Sequence, residues 1–324
     1  MTLEEFLAQW NDASPCMEVQ TSGSTGVPKR IYIEKVRMRA SARMTCDFLN
    51  LHKGDTALLC MPLDFIAGKM MVVRALERNM QLLSVEPSSH PLSKASMTGI
   101  GNPPCIDFAA MVPLQVWNTL QVPEEREALC RIRHLIIGGG AISQALEQEL
   151  RTLPINVWSS YGMTETLSHI ALRRITEDYY TPLPGITLSQ DQDGCLIIDA
   201  PHLCPETLFT NDIAHFTDDN RFQIIGRRDN TICSGGIKIQ IEEVEAWLHS
   251  LGHDDVMVTY RDDKALGQAL VYLTTTEIDM DTLRQNAVKN RYWLPRHIIK
   301  VTSLPLTPTG KPDRGKARDM AKGG

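Results

Sequence analysis

No apolar run in the chain approaches the roughly 20 residues that a membrane-crossing helix requires, so membrane insertion is not expected. No basic block offsets the formal net charge of −6. A nucleic-acid partner, which needs clustered cations to neutralise phosphates, is therefore not expected either. The eight cysteines, from Cys16 to Cys233, include no CxxC pair. That argues against the common zinc spacings and against a small secreted disulfide scaffold, and favours reduced thiols in a cytoplasmic protein. A structural metal is not expected. Met1 to Trp10 carries Glu4 and Glu5 and lacks the charged-then-apolar order of a secretory signal. Internal repeats and low-complexity segments are absent.

The bulk composition is that of a soluble globular protein: 324 residues, 43% hydrophobic and 22% charged, enough for two domains with a substantial core. Up to about residue 225 the pattern alternates strand and helix. His134-Leu135-Ile136-Ile137 reads as a short strand running into Gly138-Gly139-Gly140. Ser143 is placed to cap a helix through Arg151, with Ala145, Leu146 and Leu150 facing inward. Ile155 to Trp158 reads as the next buried strand, ending in a loop over Ser159 to Thr166. This order predicts a parallel sheet with its ligand site beyond the strand C-terminal ends.

After Gly226 the texture changes. The polar run Arg227-Arg228-Asp229-Asn230 is followed by short strands at Ile232–Cys233 and Ile237–Ile239 and by an amphipathic helix at Glu242–Leu251. Strands at Val256–Tyr260 and Ala269–Thr274 and a helix near Asp281–Lys289 complete a small α+β portion. The expected fold class is α/β: a large N-terminal domain over 1–226 with a mostly parallel sheet, then a small, mobile α+β lid over 227–324, hinged near Asp229.

Nine residues stand out: Thr21-Ser22-Gly23-Ser24-Thr25-Gly26-Val27-Pro28-Lys29. They cannot pack a core, but they suit a polyanion. Glycines admit close backbone approach, hydroxyls and N–H groups donate to phosphate oxygens, and Lys29 supplies a cation. The spacing is not G-x-x-x-x-G-K-[ST], and by composition alone the run reads rather as a flexible surface loop. Ser160-Tyr161-Gly162-Met163-Thr164-Glu165-Thr166 offers an aromatic face and a carboxylate, or an ordinary turn with a cap. Thr210-Asn211-Asp212, ahead of a turn at Asp218-Asp219-Asn220, offers a carboxylate able to accept two hydrogen bonds. Read singly, Asp212 is a turn residue. Gly226-Arg227-Arg228-Asp229 with Ser234-Gly235-Gly236-Ile237-Lys238-Ile239 reads as a linker, and Pro308-Thr309-Gly310-Lys311 as a solvated turn.

Taken together and in this order, these segments resemble the acyl-adenylate-forming (AMP-binding) superfamily of acyl-CoA synthetases, nonribosomal adenylation domains and luciferases. The run Tyr161 to His169 and the small size resemble the o-succinylbenzoate–CoA ligases of menaquinone biosynthesis. Superfamily members carry a longer segment ahead of the first loop, which implies a shortened N-terminal domain here, with a second copy of the chain as the expected cover for the exposed sheet. The resemblance implies an AMP-forming acid–thiol ligase that uses a small carboxylic acid, ATP, Mg2+ and coenzyme A.

Residue by residue, the resemblance gives Thr21, Ser22, Gly23, Ser24, Thr25, Gly26 and Lys29 to the ATP phosphates, Thr164 to the α-phosphate and Glu165 to magnesium. Tyr161, with Gly162, packs on adenine beside Gly139 and Gly140, and Asp212 and Arg227 hold the ribose. Lys311 serves adenylation, Asp229 is the hinge, and the loop carrying Lys238 replaces Lys311 when CoA enters. In Pro62-Leu63-Asp64-Phe65, Phe65 stands where the family often has a histidine at the acyl pocket. Lys69 and Arg74, on a helix after Phe65, are candidate cations for the acid's second carboxylate; solvated surface charge is an equal reading, and a spacing of five need not put both on one face. Ser168 and His169 are further candidates for contact with the acid. Two rival functions remain at this level: ligation of another aryl or acyl acid to CoA or to a carrier protein, and a nucleotide-binding module without catalysis.

Overall fold

The computed structural model describes residues 1–20, 30–98, 105–287, 290–307 and 312–322, and the architecture is that of these residues. The chain divides into two compact units. The first comprises 1–188, 198–208 and 216–223; the second comprises 189–197, 209–215 and 224–324.

The first unit opens with helix α1 (Leu3–Asn11), fixed by a capping box: Glu5 N donates to Thr2 Oγ1 at 3.1 Å and Thr2 N to the Glu5 carboxylate at 2.8 Å. An antiparallel hairpin follows, β1 (Cys16–Gln20) and β2 (Arg30–Glu34), with Gln20 opposite Arg30. Then come α2 (Lys35–Phe48), β3 (Thr56–Leu59), α3 (Ile66–Arg78), β4 (Gln81–Ser84), β5 (Ile106–Met111), α4 (Pro113–Leu120), α5 (Pro123–Leu129), β6 (Ile132–Ile137), α6 (Gln144–Arg151), β7 (Asn156–Gly162), β8 (His169–Arg174) and β9 (Thr181–Pro182).

β3 to β9 form one sheet in the order β4-β3-β5-β6-β7-β8-β9. The first five strands in that order are parallel, and β8 and β9 add antiparallel. This is the mostly parallel sheet of an α/β fold. Its strands are apolar runs because helices cover them: Leu58, Phe108, Leu135, Ile137 and Val157 are all buried in one core with Phe6 of α1 and Met70 to Val73 of α3. Ser143 caps α6 as expected, accepting from Leu146 N at 3.2 Å. Leu146 and Leu150 are buried, but Ala145 is exposed, because it lies on the outer side of this short helix.

A further sheet follows in the order β10 (Thr187–Gln190), β11 (Cys195–Asp199), β12 (Leu208–Phe216), β13 (Phe222–Arg227). Thr210, Asn211 and Asp212 lie within β12 and, as expected, ahead of the hairpin turn at Asp218-Asp219-Asn220 that leads into β13.

In the C-terminal part, β14 (Thr231–Ser234), β15 (Ile237–Gln240), α7 (Ile241–Ser250), β16 (Val256–Asp263), β17 (Gly267–Thr274), α8 (Met280–Asn286), β18 (His297–Lys300) and α9 (Arg314–Lys322) follow in chain order. The sheet runs β15-β14-β17-β16, with β18 parallel to β17. Ile232, Val244, Leu248, Val258 and Tyr272 make its core. A half-buried Arg314–Glu245 ion pair at 2.6 Å fastens α9 to α7. Among the described residues no helix is long and apolar enough to cross a membrane.

Candidate functional site

β6 and β7 are parallel neighbours whose last pair is Ile137 with Ser159. Both chains leave the sheet at the same edge, the ligand-binding edge of an open α/β sheet. The expected loop over Ser159 to Thr166 is shorter than its polar sequence suggests. β7 continues through Gly162 because β8 pairs with it, Tyr161 opposite Ala171 and Gly162 opposite His169, with a register shift between the two. Bulges of this kind re-aim side chains at strand ends. Gly138 packs on this strand: a Cβ there would lie 2.4 Å from Ser160 Oγ, which itself donates to Ile137 O at 3.1 Å. Gly139, at φ 80, and Gly140 continue exposed from the same strand end.

The loop after Gly162 is held from inside. Met163 N donates to Thr166 Oγ1 at 3.0 Å, and the buried Thr166 hydroxyl donates onward to Ser168 O at 2.8 Å. Leu167, buried, stands at φ 66, a left-handed conformation that costs a non-glycine residue about 1–2 kcal/mol. Thr164 is half-buried and Glu165 is exposed on this turn. Among the described residues no three His, Cys, Asp or Glu side chains cluster as a metal cage. A single exposed carboxylate suits Mg2+, which dehydrates reluctantly and binds through one or two carboxylates plus substrate phosphates.

Tyr161 is half-buried, its ring edge-on to Phe222 at 5.5 Å and to Tyr180 at 6.0 Å between centroids. Tyr180 and Phe222 also pair through their backbones. Sequence reasoning did not single out Tyr180 or Phe222. In a chain with 6% aromatic residues, the available signal was the adjacency of Tyr179 and Tyr180.

Behind the loop lie α2 and α3. Gly68 lets α3 press on the preceding turn, since a Cβ there would meet Pro62 O at 2.3 Å. Phe65, at the helix N-cap, is 44% exposed. Lys69 and Arg74 are not solvated surface charges: both are buried, at 2% and 3% exposure. Nor do they converge. Lys69 Nζ donates to Glu18 O of β1 at 2.8 Å, and Arg74 Nη2 to Ser168 Oγ at 2.6 Å. Burial lowers the Lys69 pKa against the opposing pull of Asp64 and Glu18. Lys69 borders a cleft of about 370 Å³ that also carries Asp12, Glu18 and Asp64, an acidic lining ill suited to an anion.

Arg74 sits in the opposite situation. Among the described residues no carboxylate pairs with it, and its buried Nε has no hydrogen-bond partner. Its guanidinium carbon is 6.0 Å from the centre of the Phe108 ring. Burial pulls its pKa down to about 10. An uncompensated buried cation is costly and calls for an anion. His169 is buried beside it, Nε2 at 3.0 Å from Thr45 Oγ1 and Nδ1 at 3.3 Å from Ser168 Oγ. Burial first and the Arg74 cation second hold its pKa well below 6.5, so the imidazole is neutral.

In the second unit, Arg227 donates to Asp212 at 3.3 Å and to Asp229 at 3.0 Å. Burial lowers the Arg227 pKa, but the Asp229 hydrogen bond and the Asp212 and Asp229 charges outweigh it and raise the net value. Asn211, which sequence reasoning passed over, donates to Asp229 at 3.1 Å and accepts from Arg228 at 2.6 Å. Arg228 also faces Asp193 and Asp191. The glycine loop is a two-residue hairpin turn: Ser234 pairs with Ile237, and Gly235 and Gly236 stand at φ 57 and 83. That backbone is the primed turn that a tight hairpin needs, and glycine takes it without strain. Lys238, opposite Cys233, is exposed beyond it. Thr21, Ser22, Gly23, Ser24, Thr25, Gly26, Lys29 and Lys311 lie outside the described residues.

Surfactin synthase subunit 2 of Bacillus subtilis is 24% identical over 90% of this chain, which spans only 9% of that protein. The 2-succinylbenzoate–CoA ligase of Listeria monocytogenes is 24% identical over 97% of this chain and 72% of its own length. The crystal structure of O-succinylbenzoate coenzyme A synthetase from Bacillus subtilis with ATP and magnesium ion matches at 21% identity, TM-score 0.75, over 92% of this chain and 69% of that one. At that identity the likeness shows the fold. The acyl-CoA synthetase (AMP-forming)/AMP-acid ligase II-like protein from Dyadobacter fermentans matches at 32% identity, TM-score 0.66, over 98% of this chain and 92% of that one. The sequence signature described as AMP-binding enzyme matches residues 7–205. That signature covers more than half of the sequence, and the chain belongs to the AMP-binding enzyme family.

Proposed function

We propose that the protein is an ATP-dependent carboxylic acid–CoA ligase acting through an acyl-adenylate, with o-succinylbenzoate as its acid. One observation carries the choice of acid: Arg74, a buried cation without a carboxylate partner among the described residues, on the helix that Phe65 caps. An acid with one carboxylate to activate and a second to be held suits such a cation. Lys69 suits it less, being bonded to Glu18 and set beside an acidic cleft.

In this reading the acid's aliphatic carboxylate attacks the α-phosphorus of ATP, the bond to the pyrophosphate oxygen breaks, and the thiol of CoA then displaces AMP. Catalysis is positioning and charge stabilisation. Thr21, Ser22, Ser24, Thr25 and Lys29 hold the β- and γ-phosphates, while Thr164 donates to the α-phosphate. Glu165 is the residue that would hold Mg2+, which when bound offsets phosphate charge. Tyr161 packs on adenine next to Gly139, Gly140 and Gly162, and Asp212 and Arg227 bind the ribose hydroxyls. Lys311 brings its ammonium to the attacking carboxylate, a compact cation on a long arm that can be withdrawn. Residues 227–324 turn about Asp229 between half-reactions, bringing the loop of Lys238 to the thiol.

The reaction joins water-soluble substrates, and the eight free thiols suit a reducing cytoplasm. The 24% identity to surfactin synthase subunit 2, equal to that with the CoA ligase, leaves a second reading, in which the acyl group passes to a carrier protein. Mass spectrometry after incubation with ATP, Mg2+, CoA and a panel of acids separates these. A CoA thioester formed with o-succinylbenzoate and not with benzoate supports the first; acyl transfer to a carrier protein alone supports the second.

A further inference from the structure

One assignment of hydrogen-bond direction gives every hydroxyl and ring nitrogen along Arg74–Ser168–His169–Thr45 a partner. Ser41 O, 3.2 Å from Thr45 Oγ1, can only accept, and the assignment that gives it the hydroxyl proton leaves Oγ1 as an acceptor. His169 Nε2, 3.0 Å from the same oxygen, must then be the donor. A neutral imidazole has one N–H, which leaves Nδ1 bare to accept from Ser168 Oγ–H at 3.3 Å. The Ser168 lone pair is thereby turned to Arg74 Nη2 at 2.6 Å. In the opposite tautomer both neighbours donate to Ser168, whose own proton then finds no acceptor in the chain, and Nε2 lacks a donor when Thr45 bonds Ser41.

We propose that Thr45 and His169 are positioning residues: by fixing this tautomer they set the Arg74–Ser168 link and so clamp the end of the loop that carries Thr164 and Glu165. The clamp acts where the loop is tightest. Leu167, one residue before Ser168, is left-handed at φ 66. Gly162 abuts the far side, where a Cβ would lie 2.4 Å from Ser168 O and 2.5 Å from His169 Cα. A strained turn persists only when its surroundings over-determine it, and here helices α2 and α3 supply the outer contacts through Thr45 and Arg74. The consequence for catalysis rests on the reading of Thr164 and Glu165 given above, whereas the clamp itself does not.

Thr45→Val keeps the shape and removes the acceptor. Ser168→Ala, less buried, breaks the same chain one link later. Amide hydrogen exchange over 163–169 and acid-dependent ATP–pyrophosphate exchange are measured on both variants and on Thr45→Ser. The expected result is exchange over 163–169 faster by tenfold or more in Thr45→Val and Ser168→Ala, with a similar rise in KM for Mg·ATP. Thr45→Ser, which restores the hydroxyl, returns both to the wild-type values. Unchanged hydrogen exchange in both variants overturns the clamp. Faster exchange spread evenly over the whole unit also overturns it, since that is general destabilisation. If the wild-type protein shows no acid-dependent pyrophosphate exchange, the ligase reading falls, and the hydrogen-exchange comparison still decides the clamp.

Discussion

Arg227 of β13 reaches across to Asp212 of β12, Nη1 to Oδ1 at 3.3 Å, while its other terminal nitrogen holds Asp229 at 3.0 Å. One guanidinium thus joins the proposed ribose carboxylate to the proposed hinge. Asp212→Asn keeps the shape and removes the charge, and a hydrogen bond to a charged group is worth about 1.5–3 kcal/mol. The expected outcome is roughly 10- to 100-fold weaker ATP binding by calorimetry. The melting temperature should barely move, because partly exposed ion pairs contribute little to stability. Unaltered ATP affinity would remove Asp212 from the nucleotide site.

Gly162→Ala should be among the most damaging small substitutions. Its new Cβ would meet Ser168 O at 2.4 Å and His169 Cα at 2.5 Å, both backbone atoms that cannot swing aside. Overpacking of this kind costs about 1–3 kcal/mol or more. At Gly140 a Cβ would find Pro113 at 3.7 Å, an ordinary contact, so Gly140→Ala should leave the protein folded. Denaturant melts of the two variants side by side check the contrast.

The buried imidazole of His169 gives stability a pH dependence of definite sign. Its folded pKa is held well below 6.5, by burial first and by Arg74 second. Above pH 6.5 the ring is neutral in both states and contributes no slope. Below 6.5 the unfolded chain takes up a proton that the folded chain refuses, so stability falls with pH, by up to about 1.4 kcal/mol per unit, until the folded ring also titrates. His134, lowered chiefly by burial, adds a term of the same sign. His169→Gln should therefore flatten the pH 6.5 to 5.5 slope in urea melts without abolishing it. Parallel slopes for the two proteins would contradict the buried neutral ring.

Lys311→Ala should separate the half-reactions. Loss of the ammonium removes charge compensation from adenylation, and the expected fall there is on the order of 100-fold or more. Thioester formation from a supplied acyl-adenylate should remain within a few-fold of wild type, since the proposal places the lysine away from the thiol step. Equal loss in both halves would sink this division of labour.

Much of the frame was legible in the sequence because it rests on local signals. The apolar run His134 to Ile137 ending in three glycines, the Ser143 cap and the inward face of Val244 and Leu248 each declare themselves within a few residues. The burial of Lys69 and Arg74 was less legible, although a clue existed. Ile66, Met70, Met71, Val72, Val73 and Ala75 leave α3 apolar nearly all round, and a helix of that kind is buried together with any cation in its middle. The polar run Ser159 to Gly162 read as loop because its partner strand, β8, decides its conformation. Nothing local links Thr45 to His169, 124 residues apart; only the packing of α2 behind the loop brings them together.

The most direct test of the ligase account is the stoichiometry of nucleotide products with o-succinylbenzoate, Mg2+ and ATP, with and without CoA. AMP and pyrophosphate released in equal amounts, only when the acid is present and with one thioester per AMP when CoA is added, is the predicted result. Release of ADP and phosphate, or nucleotide turnover indifferent to any carboxylic acid, would contradict it.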